Sequence, residues 1–263
     1  MYQKVRLDNY INHLMITSLK KSFLMVLLLL CGSLQAQQLE ITPIKCSVSE
    51  EEVDEIRRRL SFQKNFFRKQ LMEFSEEKVT VKVFGDYADF SEYELNCCGM
   101  ENITTAFFNG NRNEVVVFKN EEFIRSLSHE MSHALLSGKP IEDHFWLSEG
   151  LADLLASYKP TDSGKFNAEP MYFAEDLKLN EKSTRKLTRF LSVEADEWRE
   201  LTTYDSYGVS WALVNYLYSE EPILLREIIQ ALEGDQSIEK IMASRYKKGM
   251  KGFFQLVRGF YAK

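Results

Sequence analysis

Glu121-Glu-Phe-Ile-Arg-Ser-Leu-Ser-His129-Glu130-Met131-Ser132-His133-Ala-Leu-Leu136 is the stretch whose reading governs the rest of this chain. Leu127, Met131, Ala134 and Leu135 recur at helical spacing, and Gly138-Lys-Pro140 supplies a stop. At about 100° per residue, His129 and His133 lie one turn apart on one side of that helix, roughly opposite Leu127 and Met131. The helix can therefore bury its apolar stripe while both imidazoles face a cleft. Glu130 stands on the flank of that face. The plainer alternative is a solvated helix that carries two histidines by chance. Scarcity weighs against it: only His129, His133 and His144 lie beyond residue 36, and two of them fall at metal-ligand spacing.

A catalytic zinc site uses three protein ligands and keeps one position open. Six residues after His133 stands Lys139, so a third histidine at that spacing is excluded. Trp146-Leu-Ser-Glu149-Gly-Leu-Ala-Asp153 offers the better donor. In a helix, Leu147 and Leu151 form its buried side, and Glu149 and Asp153, one turn apart, occupy the other. Two antiparallel helices joined by a loop bring Glu149 to His129 and His133, and leave Asp153 to orient a ligand histidine from behind.

His129-Glu-Met-Ser-His133 followed by Trp146-Leu-Ser-Glu-Gly-Leu-Ala-Asp153 resembles the gluzincin class of zinc metallopeptidases, which pairs His-Glu-x-x-His with a glutamate on the following helix. The resemblance covers about residues 121–155. It implies a thermolysin-like, zincin-like catalytic core with one Zn2+ per chain. His129, His133 and Glu149 would be the ligands, Glu130 the general base, Asp153 the partner behind a ligand, and a peptide or protein the substrate. In that class an edge strand before the motif helix lines the cleft, which points to Ile103–Phe108 or Glu114–Phe118. Tyr207-Gly-Val-Ser-Trp211-Ala-Leu-Val214 looks like the Y-x-x-x-W-A-L-V segment of small peptidases of this kind. Tyr207 is the first candidate to donate a hydrogen bond to the oxyanion, with Tyr204 and His144 behind it; simple packing of Tyr207 between helices is the competing reading. Cys98-Gly-Met-Glu101-Asn102 is similar to the G-x-M-E-N sequence of zinc aminopeptidases, so an exopeptidase using Glu101 stands as the alternative to an endopeptidase. A third reading, from another class, is a peptide-binding protein that keeps the peptidase fold without turnover.

Outward from the motif, Ser49-Glu-Glu-Glu52 reads as a capping box that opens a helix carrying Val53, Ile56, Leu60, Phe67, Leu71 and Phe74. Val79–Phe84 alternates as a strand and stops at Gly85-Asp86; Ile103–Phe108 and Glu114–Phe118 form a strand pair around Asn109-Gly-Asn-Arg-Asn113. Helices are predicted over 121–136, from about Trp146, and over about 205–219, 222–233, 236–243 and 247–262. The fold class is therefore α+β, an N-terminal helix and small mixed sheet followed by a mostly helical lobe. Residues 37–120 supply the first part and 121–263 the second, the two forming one catalytic unit.

Residues 1–36 read as an address. Lys20-Lys21, the apolar run Phe23–Cys31 and Gly-Ser-Leu-Gln-Ala36 have the layout of a secretory signal peptide cleaved near Ala36. The run falls short of the roughly 18 residues that cross a bilayer, so no stable membrane span is expected. The product is exported, periplasmic or secreted. Lipidation at Cys31 is the weaker alternative, because Leu30 stands where a small residue is usual. Export permits a disulfide from Cys46 to Cys97 or Cys98, with free thiols an equal alternative. The formal charge of −6 becomes more negative without Lys4, Arg6, Lys20 and Lys21, which argues against a nucleic-acid partner. Substrate preference and oligomeric state are not legible.

Overall fold

The computed structural model describes residues 39–70, 74–75, 77–99, 104–158, 179, 182–193, 197–198, 201, 203–234 and 236–262. Met1–Glu40 form one unit, of which only Leu39 and Glu40 are described, and Ile41–Lys263 form a second, compact one. The leader, with Cys31 and Ala36, and the exopeptidase candidate Glu101 lie outside the described residues.

The architecture is α+β, a small mixed four-stranded sheet followed by helices. Strand β1 (Leu39–Ile44), helix α1 (Glu50–Gln70), β2 (Val79–Phe84), α2 (Tyr87–Cys98), β3 (Ala106–Asn109) and β4 (Glu114–Phe118) come first. After them come α3 (Phe123–Leu136), a 3-10 turn (Pro140–Asp143), α4 (Phe145–Ala156), α5 (Thr184–Phe190), α6 (Thr203–Glu220), α7 (Pro222–Glu233), α8 (Ile238–Arg245) and α9 (Gly249–Tyr261). The capping box forms: the Glu52 amide donates to Ser49 Oγ at 3.2 Å and the Ser49 amide donates to the Glu52 carboxylate at 2.7 Å. The helix bounds predicted around the motif and toward the C-terminus agree with the structure to within a few residues.

The sheet order is β1-β2-β4-β3, with β4 parallel to β2 and antiparallel to β3. Of the two strands considered for the cleft, β3 is the edge and β4 is interior. Val115, Val116 and Val117 are all fully buried, so β4 is covered on both faces. On one face Val116 packs with Phe84 and Phe90, the latter brought by α2, a helix that the sequence reading left out. On the other, α3 lies against β3 and β4. Asp86 opens α2 by accepting from the Asp89 amide at 3.1 Å, and Gly99 closes it at φ 72°, a left-handed conformation that glycine takes without a Cβ clash. No disulfide joins the described cysteines: Cys46, Cys97 and Cys98 are free, with the Cys46 thiol donating to the Val83 carbonyl at 3.2 Å.

Two contacts fix the helices that follow. Gln63, fully buried on α1, donates to the Ser128 carbonyl at 2.6 Å and to its hydroxyl at 2.9 Å; Arg59 donates to the Ala156 carbonyl at 3.1 Å. One helix thus ties down both the centre of α3 and the C-terminal end of α4. The broadest helix–helix contact is α4 with α6, and it depends on Gly150. A Cβ there would lie 2.6 Å from the Ser210 carbonyl oxygen and 2.6 Å from a Val214 methyl. Gly150→Ala is expected to destabilise the protein by about 1–3 kcal/mol, the usual cost of overpacking, read as a lower urea midpoint with an unchanged slope. Helix α6 itself buries Val209, Trp211, Leu213, Val214 and Leu217, residues spread around its circumference, as befits a central helix.

Candidate metal centre

His129 and His133 project from α3, and Glu149 and Asp153 from α4. Each pair is one turn apart, so antiparallel packing of two helices is enough to bring four side chains into one place. His129 Nε2 lies 3.1 Å from Glu149 Oε2 and 3.1 Å from His133 Nε2, and His133 Nε2 lies 3.6 Å from Glu149 Oε2. Among the described residues, His129, His133 and Glu149 are the one group of three metal-type donors within 4.8 Å of one another.

Behind them, His129 Nδ1 is 2.9 Å from Asp153 Oδ1, whose side chain is 4% exposed. An aspartate carboxylate only accepts, so Nδ1 carries the proton and donates. In a neutral imidazole that leaves the Nε2 lone pair aimed at the Glu149 oxygen. The centre therefore turns acceptor against acceptor, an arrangement that only a shared proton or a cation relieves.

The electrostatics of these side chains carry the same strain. Burial acts to lower His129, but the Asp153 and Glu149 carboxylates beside it win and raise its pKa well above the ordinary value. His133 is likewise desolvated and nevertheless raised, mainly by Glu149. Burial would raise Glu149, yet the two facing imidazoles hold it far below the usual carboxylate range. Asp153 is raised, first by burial and then by the charge of Glu149; His129 and Arg125 pull it back. Glu130 is also raised by burial, with Glu149 adding to the effect and His129, His133 and a hydrogen bond from the Phe108 amide opposing it. That last contact places the base candidate against the edge strand β3.

Tyr207 on α6 stands at the same centre, half-buried, its ring centroid 6.4 Å from that of His129. Burial and the three nearby carboxylates of Glu149, Asp153 and Glu130 raise its phenol, so it keeps its proton and remains a donor. Trp198 packs edge-on to it at 5.8 Å and also touches Phe145, the first residue of α4, at 5.8 Å. The sequence reading missed this aromatic support; Trp198 sits in no periodic pattern that would have singled it out. Tyr204 lies on α6 without a described side chain, and His144 precedes α4 outside the group of three donors. No described helix is long and apolar enough to cross a membrane. No protein-family model matches this chain, and no curated protein does.

Proposed function

We propose that this protein is a zinc-dependent peptidase of the gluzincin kind, with one ion held by His129, His133 and Glu149 and with Glu130 as general base. The observation that carries the proposal is the spacing of three facing lone pairs. Ligand atoms about 2.0–2.1 Å from a tetrahedral zinc stand about 3.3–3.4 Å from one another. The separations in this protein are 3.1, 3.1 and 3.6 Å. Two imidazoles and a carboxylate are a donor set suited to zinc, with three protein ligands and room for a fourth.

Bound there, zinc would act as a Lewis acid on water and on a substrate carbonyl. The remaining steps belong to the chain. Glu130, raised by burial and adjacent to a ligand without being one, accepts the proton of the attacking water and delivers it to the leaving amine nitrogen. Asp153 holds His129 in the tautomer that keeps Nε2 available. Tyr207, a protonated phenol at the mouth of the centre, donates to the oxygen that gains charge. The β3 edge lies alongside, where an extended peptide can add as a further strand.

The test is elemental analysis of residues 37–263 together with cleavage of a mixed peptide library. One zinc per chain and cleavage within the peptides are expected. Trimming from the free amino end would move the assignment to an exopeptidase, bound metal without cleavage would leave a peptide-binding protein, and a folded chain that takes up no metal would overturn the proposal. Tyr207→Phe keeps the ring packing against Trp198 and removes the hydroxyl, together with the hydrogen bond between that hydroxyl and Trp198. It is expected to lower kcat about 10²–10³-fold at nearly constant KM; an unchanged kcat would return Tyr207 to a packing role.

A further inference from the structure

Cys97 and Cys98 close helix α2, and their Sγ atoms lie 3.2 Å apart. Cys98 is exposed and Cys97 half-buried. The Cys97 thiol turns back along its helix and donates to the Glu94 carbonyl at 3.6 Å, which leaves its sulfur to accept from the Cys98 thiol. Burial, that hydrogen bond and the charges of Cys97 and Glu94 push the Cys98 thiol up to about 12, with Arg112 pulling the other way. The result is a protonated dithiol with one sulfur open to solvent. Cys46 stands apart from it, its own thiol on the Val83 carbonyl.

The two commonest fates of a thiol pair do not suit this one. Adjacent Cα atoms are about 3.8 Å apart across a trans peptide, below the roughly 4.4–6.8 Å that a disulfide spans. Closing one would distort the peptide between residues 97 and 98 inside the last helical turn, which the Gly99 amide holds by donating to the Leu95 carbonyl at 2.9 Å. Zinc asks for four donors, with sulfurs about 3.8 Å apart at a Zn–S distance of about 2.3 Å. Among the described residues no third metal-type donor joins the pair, the one such group being His129, His133 and Glu149. A divalent ion would also have to displace protons that this pair holds firmly.

We propose that Cys97 and Cys98 are a chelating site for a trivalent arsenical, one arsenic atom bridging the two sulfurs. Such an atom is soft, as sulfur donors prefer, and it is complete with two sulfurs and one substituent of its own, so the chain need supply no third donor. The step is a condensation. In a hydrated arsenoxide, R–As(OH)2, two As–O bonds break and two As–S bonds form, and each thiol proton leaves on a displaced hydroxyl as water. Arsenic stays trivalent, so no oxidant enters. The protonated resting pair is itself the reactant. A bridging atom also leaves the sulfurs unbonded to each other, and the last turn of α2 can persist. The site lies on the face of the sheet opposite α3 and does not depend on the metal centre being occupied.

The test is a titration of the full chain, kept reduced, with phenylarsine oxide, read by intact mass. One phenylarsenic group per chain is expected, and a variant carrying Cys31→Ser and Cys46→Ser should bind it equally well. A dithiol such as dimercaptopropanol should strip the group, and a monothiol at the same thiol concentration should not. Cys97→Ser and Cys98→Ser, at a half-buried and an exposed position, should each weaken binding about 100-fold or more, because the second As–S bond forms at the high effective concentration that only an adjacent thiol provides. A diphenyl arsenical, which has one replaceable group and cannot bridge, should bind the wild type more weakly by a similar factor. Undiminished binding in either serine variant, equal release by the monothiol, or no phenylarsenic on the chain would overturn the assignment.

Discussion

Glu130→Gln is expected to keep the fold and the bound zinc and to lower peptide cleavage by about 10²–10⁴-fold, the usual contribution of a positioned general base. The substitution is close to isosteric. The amide oxygen of glutamine can still accept the Phe108 N–H, so the contact with β3 survives. What glutamine cannot do is take a proton from the attacking water. Glu130 is outside the group of three donors, and the zinc content should therefore match that of the wild type. The measurement is kcat/KM on a cleaved library peptide beside elemental zinc. Cleavage at the wild-type rate with full zinc would remove Glu130 from the reaction.

The second large effect belongs to Glu149→Ala. It removes one of three ligands and the only negative charge among them, leaving two imidazoles for the ion. Zinc affinity should fall more than 100-fold, beyond the 10–100-fold that loss of a supporting contact costs. Asp153→Asn provides the scale. It spares all three donors and weakens only the hold on the His129 tautomer, so its loss should stay within that smaller range. Competition with a chromophoric chelator measures both. Equal affinity in wild type and Glu149→Ala would mean that the carboxylate is not a ligand and that the two histidines hold the ion with something else.

The donors were legible because helices announce themselves by period. In α3, buried Leu127, Met131 and Leu135 leave His129 and His133 on the other face, and in α4 Leu147 and Leu151 do the same for Glu149 and Asp153. Helix α2 escaped for the opposite reason. Its buried residues are Phe90 and Glu94, while Leu95 is 42% exposed, so it carries no apolar stripe. A stronger hint lay in its partner: three successive valines at 115–117 require cover on both faces of the sheet. Strand β1 was missed because Leu39–Ile44 buries no residue fully and alternates only in part. The assignment of β3 as the edge depends on strand order, a long-range property that local pattern does not carry. The aromatic support of Tyr207 was hidden likewise, since Phe145, Trp198 and Tyr207 meet only once three separate segments have packed.

The close crossing at Gly150 acts as an indexing notch. With the Ser210 carbonyl seated where a Cβ would stand, sliding α6 along α4 by one turn would set Trp146, Leu147, Asp153 or Leu154 against that oxygen, and each of these carries a Cβ. The two helices therefore have a single allowed register. Glu149, next to the notch, and Tyr207, one turn of α6 before Ser210 or nearly so, keep a constant offset and behave as parts of one block.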